Sequence, residues 1–257
     1  MTAGLRVDVV TLFPEMFVGP FDASILKRAR DAGLLDLRLH QLRDHATGRH
    51  AIVDDYPYGG GPGMVLKAEP VCRAVEAVRQ PGAAVVVLAS SGRRFDQTLA
   101  AEWATVPQLI LVCGHYEGID ERAVDLLQAT PLSIGDYVLT GGEIAAMVVV
   151  DAVARLVPGV LGDETSAADE SYSAGLLEYP QFTRPPVFRG RRAPDVLLGG
   201  DHAAVAAWRR RASLERTLAL RPDLLDDAAW EACTRLGLLT EEPRSAPPAG
   251  PESRSAG

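Results

Sequence analysis

Hydrophobic positions follow two different periods in the first part of this 257-residue chain. Short runs of β-branched and other apolar residues are typical of buried strands, and longer stretches with apolar positions three or four apart are typical of helices. The predicted strands cover residues 5–12, 84–89 and 108–113, and the predicted helices cover residues 70–80, 95–105 and 143–156. Strands that alternate with helices predict an α/β fold, in which helices cover a parallel sheet.

The pattern changes beyond residue 162. Residues 162–175 (GDETSAADESYSAG) are small, polar and acidic, without apolar periodicity, which is typical of a flexible linker. A proline-rich stretch and a helical segment over residues 202–220 follow, and the last residues are rich in Pro, Ser, Gly and charge. The predicted organisation is a first domain over 1–162, a flexible linker over 163–175, a smaller, mainly helical second domain over 176–240 and a disordered tail over 241–257.

Composition narrows the class of protein. With 47% hydrophobic residues the chain can bury a sizeable core, and its three cysteines lie far apart without a C-x-x-C pair, so they encode neither a disulfide framework nor a zinc cluster. The start lacks the pattern of a secretory leader, and the longest apolar run, residues 144–150, is too short to span a bilayer. We therefore expect a protein of the reducing cytoplasm.

Charge is unevenly distributed along the chain. A formal net charge of −8 disfavours indiscriminate coating of nucleic acid, which depends on neutralising phosphates. Residues 176–221 nevertheless hold nine arginines, including Arg209 and Arg210, against four acidic residues. This segment is either a solvated helix face or a surface that follows RNA phosphates, and charge alone leaves both interpretations open.

Glycine clusters occur at residues 59–63, 91–92, 114–118, 135 and 141–142, and most of the later ones follow predicted strands. The loops at the carboxyl ends of parallel strands are where such sheets bind ligands, although a turn alone explains any single glycine. The chain has no Gly-Lys-Ser/Thr phosphate loop, no G-x-G-x-x-G between a strand and a helix, no G-x-S-x-G and no H-E-x-x-H. NTPases, Rossmann dehydrogenases and common hydrolases are therefore disfavoured.

Five segments carry a closer resemblance. They are LFPEMF (12–17), DDYPYGGGPGM (54–64), LVCGHYEGIDER (111–122), SIGDYVLTGGE (133–143) and RLVPGVLG (155–162). Together they closely resemble the bacterial tRNA (guanine-N1)-methyltransferases of the SPOUT superfamily. The resemblance runs in order from about residue 7 to about residue 225 and includes YPQFTRPPVF and VLLGGDHAAVAAWRR beyond the linker, so it covers all but the tail.

The resemblance implies a SPOUT-type parallel sheet with a deep trefoil knot, a departure from the rule that folds are unknotted. It also implies an obligate homodimer that binds S-adenosylmethionine in the knot of one subunit and grips tRNA with both. Position by position, the cofactor residues it implies are Leu88, Ser90, Gly92, Gly114, Tyr116, Glu117, Gly118, Ile134, Gly135, Asp136, Tyr137, Val138, Leu139, Gly141 and Gly142. Apolar walls from Leu88, Ile134 and Leu139, with backbone groups exposed at glycine turns, suit a purine.

One cofactor loop departs from the family pattern. The family has a proline in a sequence like L-S-P-x-G, whereas this chain reads Leu88-Ala89-Ser90-Ser91-Gly92. We expect a less rigid loop here, because proline restricts the backbone and serine does not.

The reaction implied by the resemblance transfers a methyl group to N1 of the guanine immediately 3′ of the anticodon. N1 carries a proton, so a base must remove it while negative charge gathers on O6. The arginine with which the family stabilises the charge on O6 corresponds to Arg155. The aspartate that serves as base in the family aligns with Glu170. Asp169 lies one residue earlier, so a shift of one residue in the linker would present Asp169 instead.

The resemblance places Asp54 and Tyr58 in the loop that meets the target guanine, where a carboxylate can accept from the Watson–Crick edge of a base. The family is associated with Mg²⁺, but the sequence offers no carboxylate cage for a protein-held ion, so we expect no dedicated metal site. Two alternatives stay open. One is a SPOUT methyltransferase for another RNA base, and the other is an RNA-binding homologue that has lost catalysis.

Overall fold

A computed structural model describes residues 4–162, 170–172 and 175–239. The chain divides into two compact units, Met1–Ala167 and Ala168–Gly257. Asp169, most of the predicted linker and the whole predicted tail lie outside the described residues. No helix in the described part of the chain is long and apolar enough to cross a membrane.

The first unit is built on a five-stranded parallel sheet with the order β2-β1-β6-β5-β7. Its strands are β1 (Leu5–Thr11), β2 (Leu35–Gln41), β5 (Ala84–Arg94), β6 (Gln108–Cys113) and β7 (Thr130–Ser133), and the short strands β3 (Asp54–Asp55) and β4 (Val65–Leu66) form a separate antiparallel pair. All six residues of β6 are buried, as expected for a central strand covered on both faces. The predicted α/β fold with a parallel sheet is confirmed.

Helices cover both faces of this sheet. They are α1 (Ser24–Asp31), α2 (Ala68–Val78), α3 (Gln97–Trp103), α4 (Glu121–Leu127) and α5 (Glu143–Ala154). Phe17, Trp103 and Val149 belong to the apolar layer on one face, and Leu66, Val75 and Leu127 belong to the layer on the other. Aspartates begin two of the helices: Asp96 accepts from the Leu99 N–H at 2.9 Å, and Asp120 accepts from the Arg122 N–H at 3.0 Å.

The predicted strand over residues 84–89 is wrong at its end, because β5 continues to Arg94. Leu88 and Arg93 both pair with Leu132 of β7, so the four residues between them bulge out of the ladder. Gly92 makes this return possible, since a Cβ atom there would lie 2.3 Å from the Leu132 backbone nitrogen. The predicted loop at Ser90 is therefore a bulge within a strand.

One polar cluster interrupts the core of the first unit. Asp8 of β1 is fully buried and accepts hydrogen bonds from Arg6 (2.7 Å) and Gln108 (2.5 Å), while His40 Nε2 lies 2.7 Å from its carboxylate. Burial raises the pKa of Asp8, but the hydrogen bonds from His40, Arg6 and Gln108 outweigh it and lower the pKa to about 2. Asp8 is therefore a core residue that is charged at neutral pH.

The second unit contains the short hairpin of β8 (Val187–Phe188) and β9 (Arg191–Arg192), followed by α6 (His202–Leu220) and α7 (Asp227–Arg235). The predicted helical segment 202–220 coincides with α6. Asp201 begins this helix, since its carboxylate accepts from the N–H groups of Ala203 and Ala204. The apolar core here is small and comprises Leu176, Leu214, Leu225, Ala229 and Cys233.

Candidate active site

A cleft of about 280 Å³ opens where β5, β6 and β7 end. Every predicted cofactor residue lines this cleft except Gly92, Asp136 and Val138. Asp136 and Val138 are exposed on the loop after β7, and Gly92 packs against the backbone of Leu132. Twelve of the fifteen predicted cofactor residues therefore meet in this cleft, and the other three lie outside its lining.

Backbone hydrogen bonds hold the cleft loops against each other. The Gly142 N–H donates to the Gly114 carbonyl at 2.8 Å, and a Cβ atom on Gly142 would lie 2.8 Å from the Cys113 Cα and 3.0 Å from the Gly114 nitrogen. The two loops can approach this closely only because residue 142 is glycine. The glycines that the sequence offered as ligand-binding residues therefore also set the width of the cleft.

The loop after β7 is fixed by its own side chains. The hydroxyl of Ser133 donates to the Gly135 carbonyl at 2.9 Å and accepts from the Gly135 N–H at 3.2 Å. The Tyr137 N–H donates to the same carbonyl at 2.9 Å, and the Tyr137 hydroxyl donates to the Ile134 carbonyl at 3.3 Å. Ile134 and Leu139, the predicted apolar walls, are held in the cleft by this compact turn.

The segment predicted to meet the target guanine is tied to a cofactor loop. The Glu117 N–H donates to the Met64 carbonyl at 3.0 Å, and the Leu66 N–H donates to the Gly118 carbonyl at 2.9 Å. Asp54 pairs with Leu66 in the β3–β4 ladder and is half-buried, whereas Tyr58 is 97% exposed. Backbone hydrogen bonds therefore connect the strand pair that holds Asp54 to the cleft loop after β6.

Sequence reasoning missed a buried carboxylate behind the cleft. Glu143, the first residue of α5, is only 2% exposed, and its Oε1 accepts a hydrogen bond from the Thr11 hydroxyl at 2.8 Å. Its Oε2 lies 4.0 Å from His115 Nδ1, and a Cβ atom on Gly141 would lie 2.4 Å from it. The signal was present in the sequence, because Glu143 is an acid directly before seven consecutive apolar residues of the helix. The N-terminus of a helix favours such a charge.

His115 joins this carboxylate to the cleft. The residue lines the cleft, its ring contacts Phe13 at 5.0 Å and Tyr116 at 4.7 Å between centroids, and its buried Nδ1 has no hydrogen-bond partner among the described residues.

Burial and the charge of Glu143 raise the pKa of Cys113 well above its ordinary value, so that thiol stays protonated and unreactive.

The predicted catalytic residues lie in different units. Arg155 is the half-buried residue that directly follows α5 in the first unit. Glu170 belongs to the second unit, where it lines a cavity of about 360 Å³ together with His202, Arg209 and Arg210. The predicted base and two predicted RNA-binding arginines are therefore neighbours. Among the described residues, no group of three or more His, Cys, Asp or Glu side chains could hold a metal ion.

Comparison with known proteins gives a consistent result. The family model described as tRNA (guanine-1)-methyltransferase TrmD matches residues 5–227. A tRNA (guanine-N(1)-)-methyltransferase of Chloroflexus aggregans is 60% identical over 228 residues, which are 88% of this chain and 89% of the relative. The protein of the same name from Geobacter metallireducens is 54% identical over 240 residues, 93% of this chain and 98% of the relative. With its strand-end cleft and glycine-bearing loops, this chain belongs to the TrmD family of tRNA (guanine-1)-methyltransferases.

Proposed function

We propose that this chain transfers a methyl group from S-adenosylmethionine to N1 of the guanine immediately 3′ of the anticodon in tRNA. The observation that carries the proposal is the strand-end cleft, where nearly all the cofactor residues implied by the family meet. The names of the relatives support the same substrate and the same atom.

The cleft fits the proposed cofactor in charge as well as in shape. Two carboxylates, Glu117 and Glu121, line it, Glu143 lies behind it, and the described lining includes neither lysine nor arginine. Such a site favours a cation over an anion such as a nucleotide phosphate. When bound there, S-adenosylmethionine would supply an electrophilic methyl group on a positively charged sulfur.

Each part of the cleft has a task in this proposal. Leu88, Ile134 and Leu139 form apolar walls for a purine ring. The backbone N–H and C=O groups around Gly114 and Gly141 read the edge of that ring, because glycine leaves them uncovered. Recognition therefore depends on backbone that is already fixed by hydrogen bonds, which reduces the ordering cost of binding.

Methylation of N1 needs a proton acceptor and a stabiliser of negative charge. We assign the first task to Glu170, or to Asp169 if the linker register is shifted, and the second to Arg155. Arg155 directly follows α5, whose first residue, Glu143, lies behind the cleft. In this assignment its guanidinium meets the charge that develops on O6. Asp54 accepts from the Watson–Crick edge of the guanine, and Tyr58 lies in the same loop.

As the resemblance to the family implies, we propose a homodimer in which each active site combines the cofactor cleft of one subunit with the linker of the other. The family also implies that the loops after β5, β6 and β7 are threaded into a trefoil knot. We place the protein in the cytoplasm, where tRNA is modified. Any Mg²⁺ requirement would then involve the RNA and substrate, without a protein-held ion.

Tritium transfer from labelled S-adenosylmethionine tests the function directly. We expect label in a tRNA transcript that has guanine 3′ of the anticodon and none in a matched transcript with adenine there. Label in ribosomal RNA fragments but not in anticodon stem-loops would point to another SPOUT methyltransferase. Cofactor binding without transfer to any RNA would identify a non-catalytic homologue.

A further inference from the structure

We infer that the β8–β9 hairpin of the second unit is an RNA-contacting element, in which Phe188 stacks on an unpaired base and Arg191 contacts a phosphate. The inference rests on the proposed function, since it takes tRNA as the partner. It concerns residues outside the cleft and outside the cavity that holds Glu170.

The first observation is an aromatic ring that the fold leaves uncovered. Phe188 is 62% exposed, and every residue from 181 to 192 is exposed. The hairpin turns through Arg189 and Gly190, both with positive φ (49° and 77°), which is the geometry of a tight two-residue turn. A short two-stranded ribbon has no core of its own to stabilise an exposed phenylalanine. The ring is therefore displayed on a rigid turn.

The second observation is the distribution of charge around that ring. The guanidinium of Arg189 lies over the Phe188 ring, 5.2 Å from its centroid. Phe188 pairs directly with Arg191 across the hairpin, so both side chains project from the same face. Among the described residues Arg191 has no ion-pair partner, and residues 179–194 contain four arginines and no acid. One face thus combines an aromatic ring with unneutralised positive charge.

The opposite face of the hairpin carries an apolar residue and an arginine whose charge is already offset. It carries Val187 and Arg192, which also pair directly with each other. Arg192 is bound to Asp195 at 2.7 Å, so its charge is already offset. The two faces of one small element therefore offer matched residues, and only the Phe188 face has the chemistry to bind a polyanion.

RNA is the partner that this chemistry favours. Unpaired bases of RNA loops stack on aromatic side chains and arginine planes, while other arginines contact phosphates. A second copy of the chain packed through this same face would bring Arg189 and Arg191 against their own like charges. Stacking also tolerates any base, so the hairpin would add affinity without changing which guanine is methylated.

The test compares variants of the full-length protein in equilibrium binding to tRNA over a range of salt concentrations. We expect Phe188→Leu to weaken binding about tenfold at every salt concentration, whereas Phe188→Tyr binds like the wild type because it keeps the stacking ring. Arg191→Gln should lower the salt slope by about 1. Val187→Ala and Arg192→Gln are the matched controls and should change tRNA binding little.

Cofactor binding and turnover at saturating tRNA should be unchanged in all of these variants. Wild-type affinity in both Phe188→Leu and Arg191→Gln overturns the inference while the proposed function stands, provided that the wild type methylates tRNA. Failure of the wild type to bind tRNA would instead overturn the proposed function. If Phe188→Leu alters sedimentation and leaves tRNA affinity intact, the hairpin is an interface between copies of the chain, which also overturns the inference.

Discussion

The cleft of the first unit and the cavity of the second unit are lined by different kinds of groups. The cleft is lined by glycine backbone, apolar walls and two carboxylates, and it lies at the end of a sheet that is buried on both faces. The cavity is lined by α6, which supplies Arg209 and Arg210, and by Glu170 and residues 176–179, beside a small core. Shape recognition needs a fixed backbone, whereas recognition of a polyanion needs reach and charge.

This comparison makes distinct expectations for substitutions in each unit. In the first unit, small changes of backbone fit should abolish cofactor binding, and changes of exposed charge should matter little. In the second unit, exposed charges should determine RNA affinity and its salt dependence. The catalytic base that we propose in the second unit is the exception, since its loss should act on the rate alone.

That exception carries the largest expected effect. Glu170→Gln should lower the methylation rate by roughly two or more orders of magnitude with cofactor affinity near wild type, as expected for loss of proton transfer. Asp169→Asn should then be mild. Single-turnover rates across pH measure this, because only the true base should remove the acidic limb of the profile.

The opposite ranking of these two variants would show that the linker register is shifted and that Asp169 is the base. Mild effects of both, with tRNA saturating, would remove catalysis from the linker altogether. The base would then not belong to the second unit, and the proton would leave through water or another group.

The next prediction concerns backbone fit in the first unit. Gly142→Ala forces a Cβ atom to within 3.0 Å of the Gly114 nitrogen, so the loops must separate. We expect S-adenosylmethionine to bind roughly tenfold more weakly or worse, since overpacking costs about 1–3 kcal/mol. Gly162→Ala is the matched control, because nothing lies within 4 Å of its Cβ position. Equal affinities of the two variants in calorimetry would contradict the role assigned to the fixed backbone.

The elements that could be predicted from the sequence are those that depend on local pattern. The run of six apolar or buried residues in β6 and the helical segment 202–220 depend on local pattern, and both were predicted within their bounds. Strand β2 (LDLRLHQ) was missed although its residues alternate, because an edge strand with charged positions lacks a continuous apolar run. The short strand β7, four residues long and containing Pro131, gave no pattern at all.

The candidate site divides in the same manner. Residues in the glycine loops could be identified from motifs, because each loop is contiguous in sequence. The bond between Thr11 and Glu143 joins residues 132 positions apart, and the return of β5 at Gly92 depends on its register with Leu132. Such contacts arise only when separate strands are packed together. Spacing along the chain therefore could not indicate that Gly92 packs against β7 while His115 faces the cleft.

A third prediction tests whether the first unit depends on its buried charge. The pKa of Asp8 is about 2 in the folded protein and 3.8 in an ordinary aspartate, so ionisation favours folding by at most about 2 kcal/mol. This contribution is present above about pH 4 and is lost as the pH falls towards 2. Asp8→Asn should therefore destabilise the protein at pH 7 and flatten the fall of stability in acid, as measured by urea unfolding.

Asp36→Asn is the control for this prediction. Asp36 and Arg38 form an exposed ion pair on β2, the strand next to the one that holds Asp8. Exposed pairs contribute about 0–1 kcal/mol, so its unfolding midpoint should hardly move. If the two variants lose equal stability, the Asp8 cluster is no more than a surface ion pair in energetic terms.

The smallest effect is expected from exposed arginines of the second unit, where the structure sharpens the prediction made from the nine arginines of residues 176–221. Arg211 is bound to Glu215 at 2.7 Å, so its charge is largely offset. Arg209 stacks on Tyr179 at 4.7 Å and lines the cavity with Arg210. Replacing Arg209 and Arg210 together by Gln should weaken tRNA binding and lower its salt slope by about 2, whereas Arg211→Gln should leave the slope near wild type. An unchanged slope in the double variant would make this helix face a solvated surface, and the contrast between shape recognition and charge recognition would then rest on the β8–β9 hairpin alone.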